Sequence, residues 1–377
     1  MLEIYLPVVQ VNIDIVLLLF LSLLVGVLSG LFGVGGGFLM TPFLIFMGIP
    51  PVYAVPNEVN NILATSVSGS LTHWFKNTLD YKMGLMIVTG GTIGTILGIL
   101  TFSYFEGIGK ISLIISLLYM YLLAIVGTLM LIESLRESNR LSKKTVTKRK
   151  LHDHNWFQGL PLRMRFPKSR LYESALTPIL LGLIVGFIAS MMGIGGAFLM
   201  VPAMIYIVGM PVKLIPGTSL FVTIFISAIV TVLHSFNYGS IDLYLVVPLI
   251  LGSIVGVQLG QKLGQYIKAT DLKSLFALLL CTVSIAIAYD NFFREESKFV
   301  NEKQVVNTDL SEFAEFTLKL SNEFPILYGA FAIILAIVLG VLVSVSRKIL
   351  SPIIRKLFSN LKKTNVKKTE EVKFPEK

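Results

Sequence analysis

What most constrains this chain is how little charge interrupts its apolar runs. The first Lys or Arg is Lys76, and between Arg170 and Lys262 the only one is Lys213. A helix needs about 20 apolar residues to span the hydrocarbon core of a bilayer. We read apolar segments over 12–32, 38–50, 59–75, 83–105, 109–132, 174–192, 197–210, 217–236, 242–264, 272–290 and 325–346. The second and seventh reach only about 20 Å as helices, so each is a half-span or a re-entrant helix. Charged residues make up 14% of the chain and hydrophobic ones 54%; a soluble domain carries about 25% charged residues. The reading is an all-α polytopic membrane protein. No basic residue precedes the first run and the chain stays apolar after it, which is not a signal-peptide pattern. The single Cys281 excludes a disulfide framework within the chain. No Cys/His cluster has zinc-ligand spacing, and no cofactor is expected.

The net charge of +10 is a matter of topology, not of nucleic acid. Residues 133–173 and 346–377 each carry a net +7, and 290–324 carries −4. Basic loops stay cytoplasmic. That places 133–173 and the C-terminal tail inside, and the acidic 291–324 segment and the acidic N-terminus outside. Trp74 and Trp156 read as interfacial anchors.

The chain reads as a duplication. GVLSGLFGVGGGFLMTPFLIF from Gly26 matches GFIASMMGIGGAFLMVPAMIY from Gly186 at an offset of 160. Gly33, Gly35 and Gly36 align with Gly193, Gly195 and Gly196, and Pro42 and Pro56 align with Pro202 and Pro216. With small gaps His73 matches His234 and Asp80 matches Asp242. Each unit has five apolar segments. An odd unit repeated gives an inverted pair, the architecture of secondary transporters. The expected division is a first repeat over 1–132, a basic cytoplasmic loop over 133–173 and a second repeat over 174–290. An acidic extracytoplasmic segment over 291–324, an extra transmembrane helix over 325–346 and a basic tail over 347–377 complete it.

The duplicated glycine motif is the feature that can carry chemistry. Glycine tolerates positive φ and leaves backbone N–H groups accessible. A Gly turn feeding a helix N-terminus is an anion site, and irregular backbone survives at membrane depth only where protein or a water-filled cavity satisfies it. Gly33, Gly35, Gly36 and Gly37, with Gly193, Gly195 and Gly196, are therefore candidate substrate-binding residues. Asn57, Asn60 and Asn61, with Thr218 and Ser219, are candidate neutral donors nearby; Thr223 and Ser227 follow them. His73 and His234 are candidates for carrying a coupling proton, because an imidazole titrates near physiological pH. Asp80 and Asp242 are expected in loops. The rows Gly90/Gly94/Gly98 and Gly252/Gly256/Gly260 have the spacing of close helix–helix contact. The spans lack a metal-ligand set and a Ser/His/Asp grouping, so an enzyme is not expected.

The paired GxGG-F-L-M-x-P blocks and the Pro-Asn or Pro-Gly-Thr-Ser stretch after each resemble the TauE/SafE family, as does the His-Phe near the end of the next span. This family is also called the sulfite exporter or four-toluene-sulfonate uptake permease family. The resemblance covers roughly residues 12–290. It implies a plasma-membrane secondary transporter of small sulfur-containing anions such as sulfite or organosulfonates. The expected partners are that anion, the lipid bilayer, a coupling proton and further copies of the chain. A passive anion channel, or a carrier of non-sulfur organic anions, is the alternative. The long basic loop, the acidic segment and the last span depart from a minimal member.

Overall fold

A computed structural model describes residues 3–32, 39–142, 162–211, 213–263, 269–293 and 312–342. Helices account for most of it. They are α1 (Ile15–Phe32), α2 (Met40–Phe46), α3 (Pro51–Phe75), α4 (Tyr81–Gly107) and α5 (Ile111–Ser142). There follow α6 (Leu176–Met192), α7 (Ala197–Tyr206), α8 (Ile215–Tyr238), α9 (Leu243–Leu263), α10 (Ala269–Phe293) and α11 (Glu312–Glu323). The last is α12 (Pro325–Leu342). Six described stretches are long and apolar enough to cross a membrane: Tyr81–Gly107, Ile111–Leu135, Ile215–Tyr238, Leu243–Leu263, Ser274–Phe292 and Pro325–Leu342. Every apolar segment read from the sequence coincides with a helix, and α11 is an addition within the acidic segment. Large apolar side chains stay exposed along α4, α5, α10 and α12, among them Leu100, Leu129, Ile285 and Ile334. That is the surface a lipid-facing helix presents.

The architecture is that of an all-α polytopic membrane protein, with two short hairpins added to the helices. Two antiparallel hairpins precede α1 and α6: β1 (Glu3–Leu6) with β2 (Val11–Asp14), and β3 (Arg163–Phe166) with β4 (Leu171–Ser174). Their registers correspond residue for residue, Glu3↔Asp14 and Arg163↔Ser174. Each turn begins with a proline and closes on a residue with positive φ, Gln10 at 60° and Arg170 at 53°. The strands are only four residues long, so period-two alternation left almost no signal. Each hairpin sinks an apolar residue into the bundle, Leu6 in one and Phe166 in the other.

Glycine contacts give the helix directions. Along α4, Gly90 meets the backbone of Ile179, Gly94 that of Leu183 and Gly98 that of Phe187, so α4 runs parallel to α6. Along α9, Gly252 meets Leu19, Gly256 meets Leu23 and Gly260 meets Val27, so α9 runs parallel to α1. Both rows put backbone against backbone, with no room for a Cβ, which is how small residues hold helices together in a bilayer. Gly69 faces Leu220, and Gly217 faces His73; α3 and α8 therefore run antiparallel. α5 packs along α10.

α3 is the hub. Every residue from Ala54 to Val67 is buried. A helix covered on all sides is normally apolar throughout, yet this stretch holds Asn57, Glu58, Asn60, Asn61, Thr65 and Ser66. α12 lies across α3 and α8. Gly329 sits on Ser235, Gly340 sits on Ala64, and Ser235 Oγ donates to Pro325 O over 2.6 Å.

Candidate substrate site

The glycine turn between α6 and α7 is built from three residues with positive φ: Gly193 at 73°, Gly195 at 61° and Gly196 at 80°. The Gly193 N–H still serves α6, donating to Ala189 O over 2.8 Å. Met200 N donates to Gly196 O over 2.9 Å as α7 begins. No backbone hydrogen bond joins the N–H groups of Gly195, Gly196 and Ala197 to another described residue. They are the orphan donors of a helix start. The corresponding Gly33, Gly35, Gly36 and Gly37 lie outside the described residues.

The turn faces α3. A Cβ at Gly193 would stand 3.0 Å from both the Cα and the carbonyl oxygen of Val55, and one at Gly195 would collide with the Ile62 side chain. Val55, Glu58 and Ile62 share one face of α3, because positions three and four apart lie over one another. The buried carboxyl of Glu58 is thus bracketed by the two residues the glycine turn touches. Both Glu58 oxygens accept from Asn61 Nδ2, at 3.2 and 3.1 Å, and the same nitrogen lies 3.0 Å from Ser253 Oγ on α9. Tyr119 on α5 lies within electrostatic reach of Glu58. Its hydroxyl donates over 2.6 Å to Met192 O, the last residue before the turn.

The chain belongs to the TauE/SafE family. The profile of the family described as "Sulfite exporter TauE/SafE" matches residues 18–287, which takes in α1 to α10 and this turn. The chain is 30% identical to the "Probable membrane transporter protein YjnA" of Bacillus subtilis (strain 168), over 70% of this chain and 95% of that one. It is 26% identical to "Probable membrane transporter protein YunE" of the same organism, over 74% and 98%. It is 27% identical to "Probable membrane transporter protein MJ0441" of Methanocaldococcus jannaschii, over 66% and 86%. No solved structure matches the chain significantly. α11 and α12 lie beyond the matched region.

The other residues singled out in the sequence separate into groups. Asn57 and Thr218 hold turns together. Asn57 Oδ1 accepts from Asp242 N over 2.7 Å, and its Nδ2 donates to Tyr53 O and Ser240 O over 2.7 and 3.0 Å. Thr218 Oγ1 accepts from Asp80 N over 3.1 Å and donates to Leu214 O over 2.8 Å. Ser219 and Thr223 donate to their own helix, at Pro216 O and Ser219 O. Asn60 Nδ2 donates to Ala332 O on α12 over 3.4 Å. Among the described residues the side-chain oxygens of Asn60 and Asn61 find no hydrogen-bond partner, nor does the buried Ser227 hydroxyl.

The two histidines are not in like surroundings. His73 is partly exposed at the end of α3, with Nδ1 2.9 Å from Thr78 Oγ1. His234 is fully buried. Its Nε2 is 3.2 Å from Ser190 O, its ring packs edge-on against Phe102 at 4.7 Å, and its Nδ1 has no partner among the described residues.

Glu58 stands in the same stretch as Asn57 and Asn60 but is not among the candidate donors, because an ionised carboxylate only accepts hydrogen bonds. A lone carboxylate between hydrophobic runs is itself a signal of function. Asp80 and Asp242 do sit in loops, but both are buried, and each clasps the opposite hairpin. Asp242 Oδ2 accepts from Val8 N over 2.9 Å and Val9 N over 3.4 Å. Asp80 Oδ2 accepts from Ser169 N over 3.1 Å and from the Ser169 hydroxyl. Among the described residues no group of three or more His, Cys, Asp or Glu could hold a metal ion.

Proposed function

We propose that this protein is a secondary transporter that moves small sulfur-containing anions, sulfite or organosulfonates, across the plasma membrane by alternating access. One observation carries the reading: a helix start whose N–H groups have no backbone partner among the described residues lies inside the bundle against Val55 and Ile62 of the central helix α3, one turn to either side of the buried Glu58. Backbone dipoles and N–H groups hold an oxyanion without a fixed cation, and such binding is weak enough to reverse. Gly193, Gly195 and Gly196, with their counterparts Gly33, Gly35, Gly36 and Gly37, form the proposed anion sites. Asn61, bonded to Glu58, is the proposed neighbour of the site on α3, while Asn60 reaches across to α12. Asn57, Thr218 and Ser219 are committed to other bonds and position the helices around the site.

The two halves are proposed to be inverted repeats. Exchanging α1–α5 for α6–α10 carries the α4–α6 pair onto the α1–α9 pair, and each hairpin onto the other. The parallel directions of those pairs and the antiparallel α3–α8 crossing fit a first half entering from outside and a second from inside. The positively charged 133–173 segment then lies in the cytoplasm with the C-terminus, and the N-terminus lies outside. Sulfur specificity comes from the family description; the relatives' names say only that they are probable membrane transporters.

Reconstitution tests this. Proteoliposomes are screened for uptake and counterflow of sulfite, sulfate, thiosulfate, taurine, sulfoacetate and non-sulfur carboxylates. Saturable flux of a sulfur oxyanion is expected. Flux of the carboxylates alone removes the sulfur assignment, and flux that never saturates favours a channel. Gly195→Val places a branched side chain at φ 61° against Ile62, a backbone strain of roughly 1–2 kcal/mol before the collision. It is expected to abolish flux while insertion persists; normal flux from a well-inserted variant removes the turn from the site.

A further inference from the structure

We propose that Glu58 is the proton-binding site of this transporter, and that its proton travels with the anion. The inference rests on the anion site above. Glu58 is fully buried, and its partners are neutral: Asn61 Nδ2 at both oxygens, with Ser253 Oγ sharing that nitrogen. No ion pair to Glu58 is found among the described residues. Of the titratable groups on the helices around it, Tyr119 on α5 lies within electrostatic reach. α9 contributes the Ser253 hydroxyl, and the 193–196 turn packs on Val55 and Ile62 to either side. An ionised carboxylate in such a place lacks the compensation that buried charge requires.

The position completes the argument. Val55 and Ile62, one turn to either side of Glu58, are the residues against which Gly193 and Gly195 pack. An anion at the orphan N–H groups of that turn would face Glu58 across the same contact. Two negative charges at close range in low dielectric repel each other, so a bound anion favours protonated Glu58. Linkage makes the effect reciprocal: a proton on Glu58 favours the anion by the same factor. The cycle balances simply. One proton adds to the carboxylate from the side where the anion enters, and the same proton leaves the carboxyl oxygen where the anion is released. A monovalent anion then crosses without net charge. The histidines do not share this geometry: His73 is partly exposed at the end of α3, and His234 packs against Phe102 and Tyr238.

The test uses the full chain in lipid nanodiscs and in proteoliposomes, as wild type and as Glu58→Gln, which keeps the shape and the Asn61 contact but binds no proton. Infrared difference spectra over a pH titration read the carboxyl directly. The wild type is expected to show a protonated-carboxyl band persisting to neutral pH that is absent in Glu58→Gln and strengthens with methanesulfonate. Identical titrations in the two proteins overturn the proposal. Methanesulfonate is the anion of a strong acid and carries no proton itself, so acidification of the lumen coupled to its influx must pass through the protein. Apparent affinity in the wild type should fall roughly tenfold per pH unit above the titration of Glu58 and be flat in Glu58→Gln. Lumen acidification on methanesulfonate influx should be lost in Glu58→Gln; acidification retained in the variant also overturns the proposal. If methanesulfonate moves in neither protein, the sulfonate reading fails, while the infrared titration still decides whether Glu58 holds the proton.

Discussion

Replacing Asp242 by Ala should loosen a hairpin far away in sequence and spare the hairpin of its own half. Asp242 Oδ2 takes Val8 N at 2.9 Å and Val9 N at 3.4 Å, and Oδ1 takes Tyr244 N at 3.0 Å. Hydrogen bonds to a charged acceptor contribute about 1.5–3 kcal/mol each, and buried donors left unpaired add cost. The Tyr244 bond caps α9 locally. The hairpin itself loses one good bond and one weak one, about 2–3 kcal/mol. At 1.4 kcal/mol per factor of ten, that is a roughly 30–150-fold increase in local opening. Hydrogen–deuterium exchange read by mass spectrometry measures it. In Asp242→Ala, exchange should accelerate over residues 3–14 and stay unchanged over 163–174.

Asp80→Ala supplies the mirror experiment. It removes the acceptor for Ser169 N and the Ser169 hydroxyl, together with the cap at Met83 N at 3.1 Å. Exchange should then rise over residues 163–174 and not over 3–14. Lys82 Nζ to Arg165 O at 2.8 Å and Lys168 Nζ to Asn77 Oδ1 at 2.6 Å still tether that hairpin. These exposed contacts are worth little each, so the direction stands and the size is smaller. Acceleration of both hairpins in either variant, or of the hairpin in the mutated half, would refute the crosswise clasp.

Gly94→Leu and Gly256→Leu each force apart a parallel helix pair in backbone contact; overpacking costs about 1–3 kcal/mol or more, seen as a lower thermal midpoint in detergent. Gly107→Leu meets open space and should leave the midpoint unchanged. Burial raises the carboxyl of Glu173 on β4 to about 7. Its proton is therefore held more tightly in the folded state: the stability it contributes is complete below about pH 4.5 and is lost as pH rises through about 7. Glu173→Gln should flatten that part of the melting profile; an unchanged profile assigns the dependence elsewhere. Tyr119→Phe removes the bond to Met192 O at a cost of about 1 kcal/mol, read as faster exchange at the end of α6.

The helices were legible because hydropathy acts at the scale of a whole span. Eleven apolar runs gave eleven helices, and the glycine rows correctly named the close-packed faces of α4 and α9. Finer features failed where the signal is short or relational. The hairpins have four-residue strands whose hold comes from Asp80 and Asp242, more than 70 residues away in each case by sequence. α3 was drawn from residue 59 because polar residues lowered its hydropathy, yet it begins at Pro51. A local scale cannot see that neighbouring helices bury Asn57, Glu58, Asn60 and Asn61. His73 and His234 align in sequence but differ in surroundings, one partly exposed and the other buried; alignment reports a position, and surroundings come from the fold.

The likeness between the halves is uneven, and the unevenness is informative. Positions that pack are matched: the glycine rows, the hairpin turns, and Asp80 with Asp242. Positions along the polar face are not. At an offset of 160, Asn57 meets Gly217, Glu58 meets Thr218 and Asn61 meets Phe221. In the proposed inverted-repeat transporter, the matched residues would set how the two halves pack and move against each other. The unmatched ones are buried on α3 and α8, where the proposed transport of one substrate needs only one carboxyl. A second acid at position 218 would face Asp80 N as an acceptor and could serve the clasp, but it would bring a second negative charge near the anion path. Thr218 supplies the acceptor without the charge. The single acid in this pair of positions is therefore expected to act in chemistry that the symmetric scaffold leaves to one side, and exchanging the pair, Glu58→Thr with Thr218→Glu, should keep the clasp while moving the proton site away from the 193–196 turn.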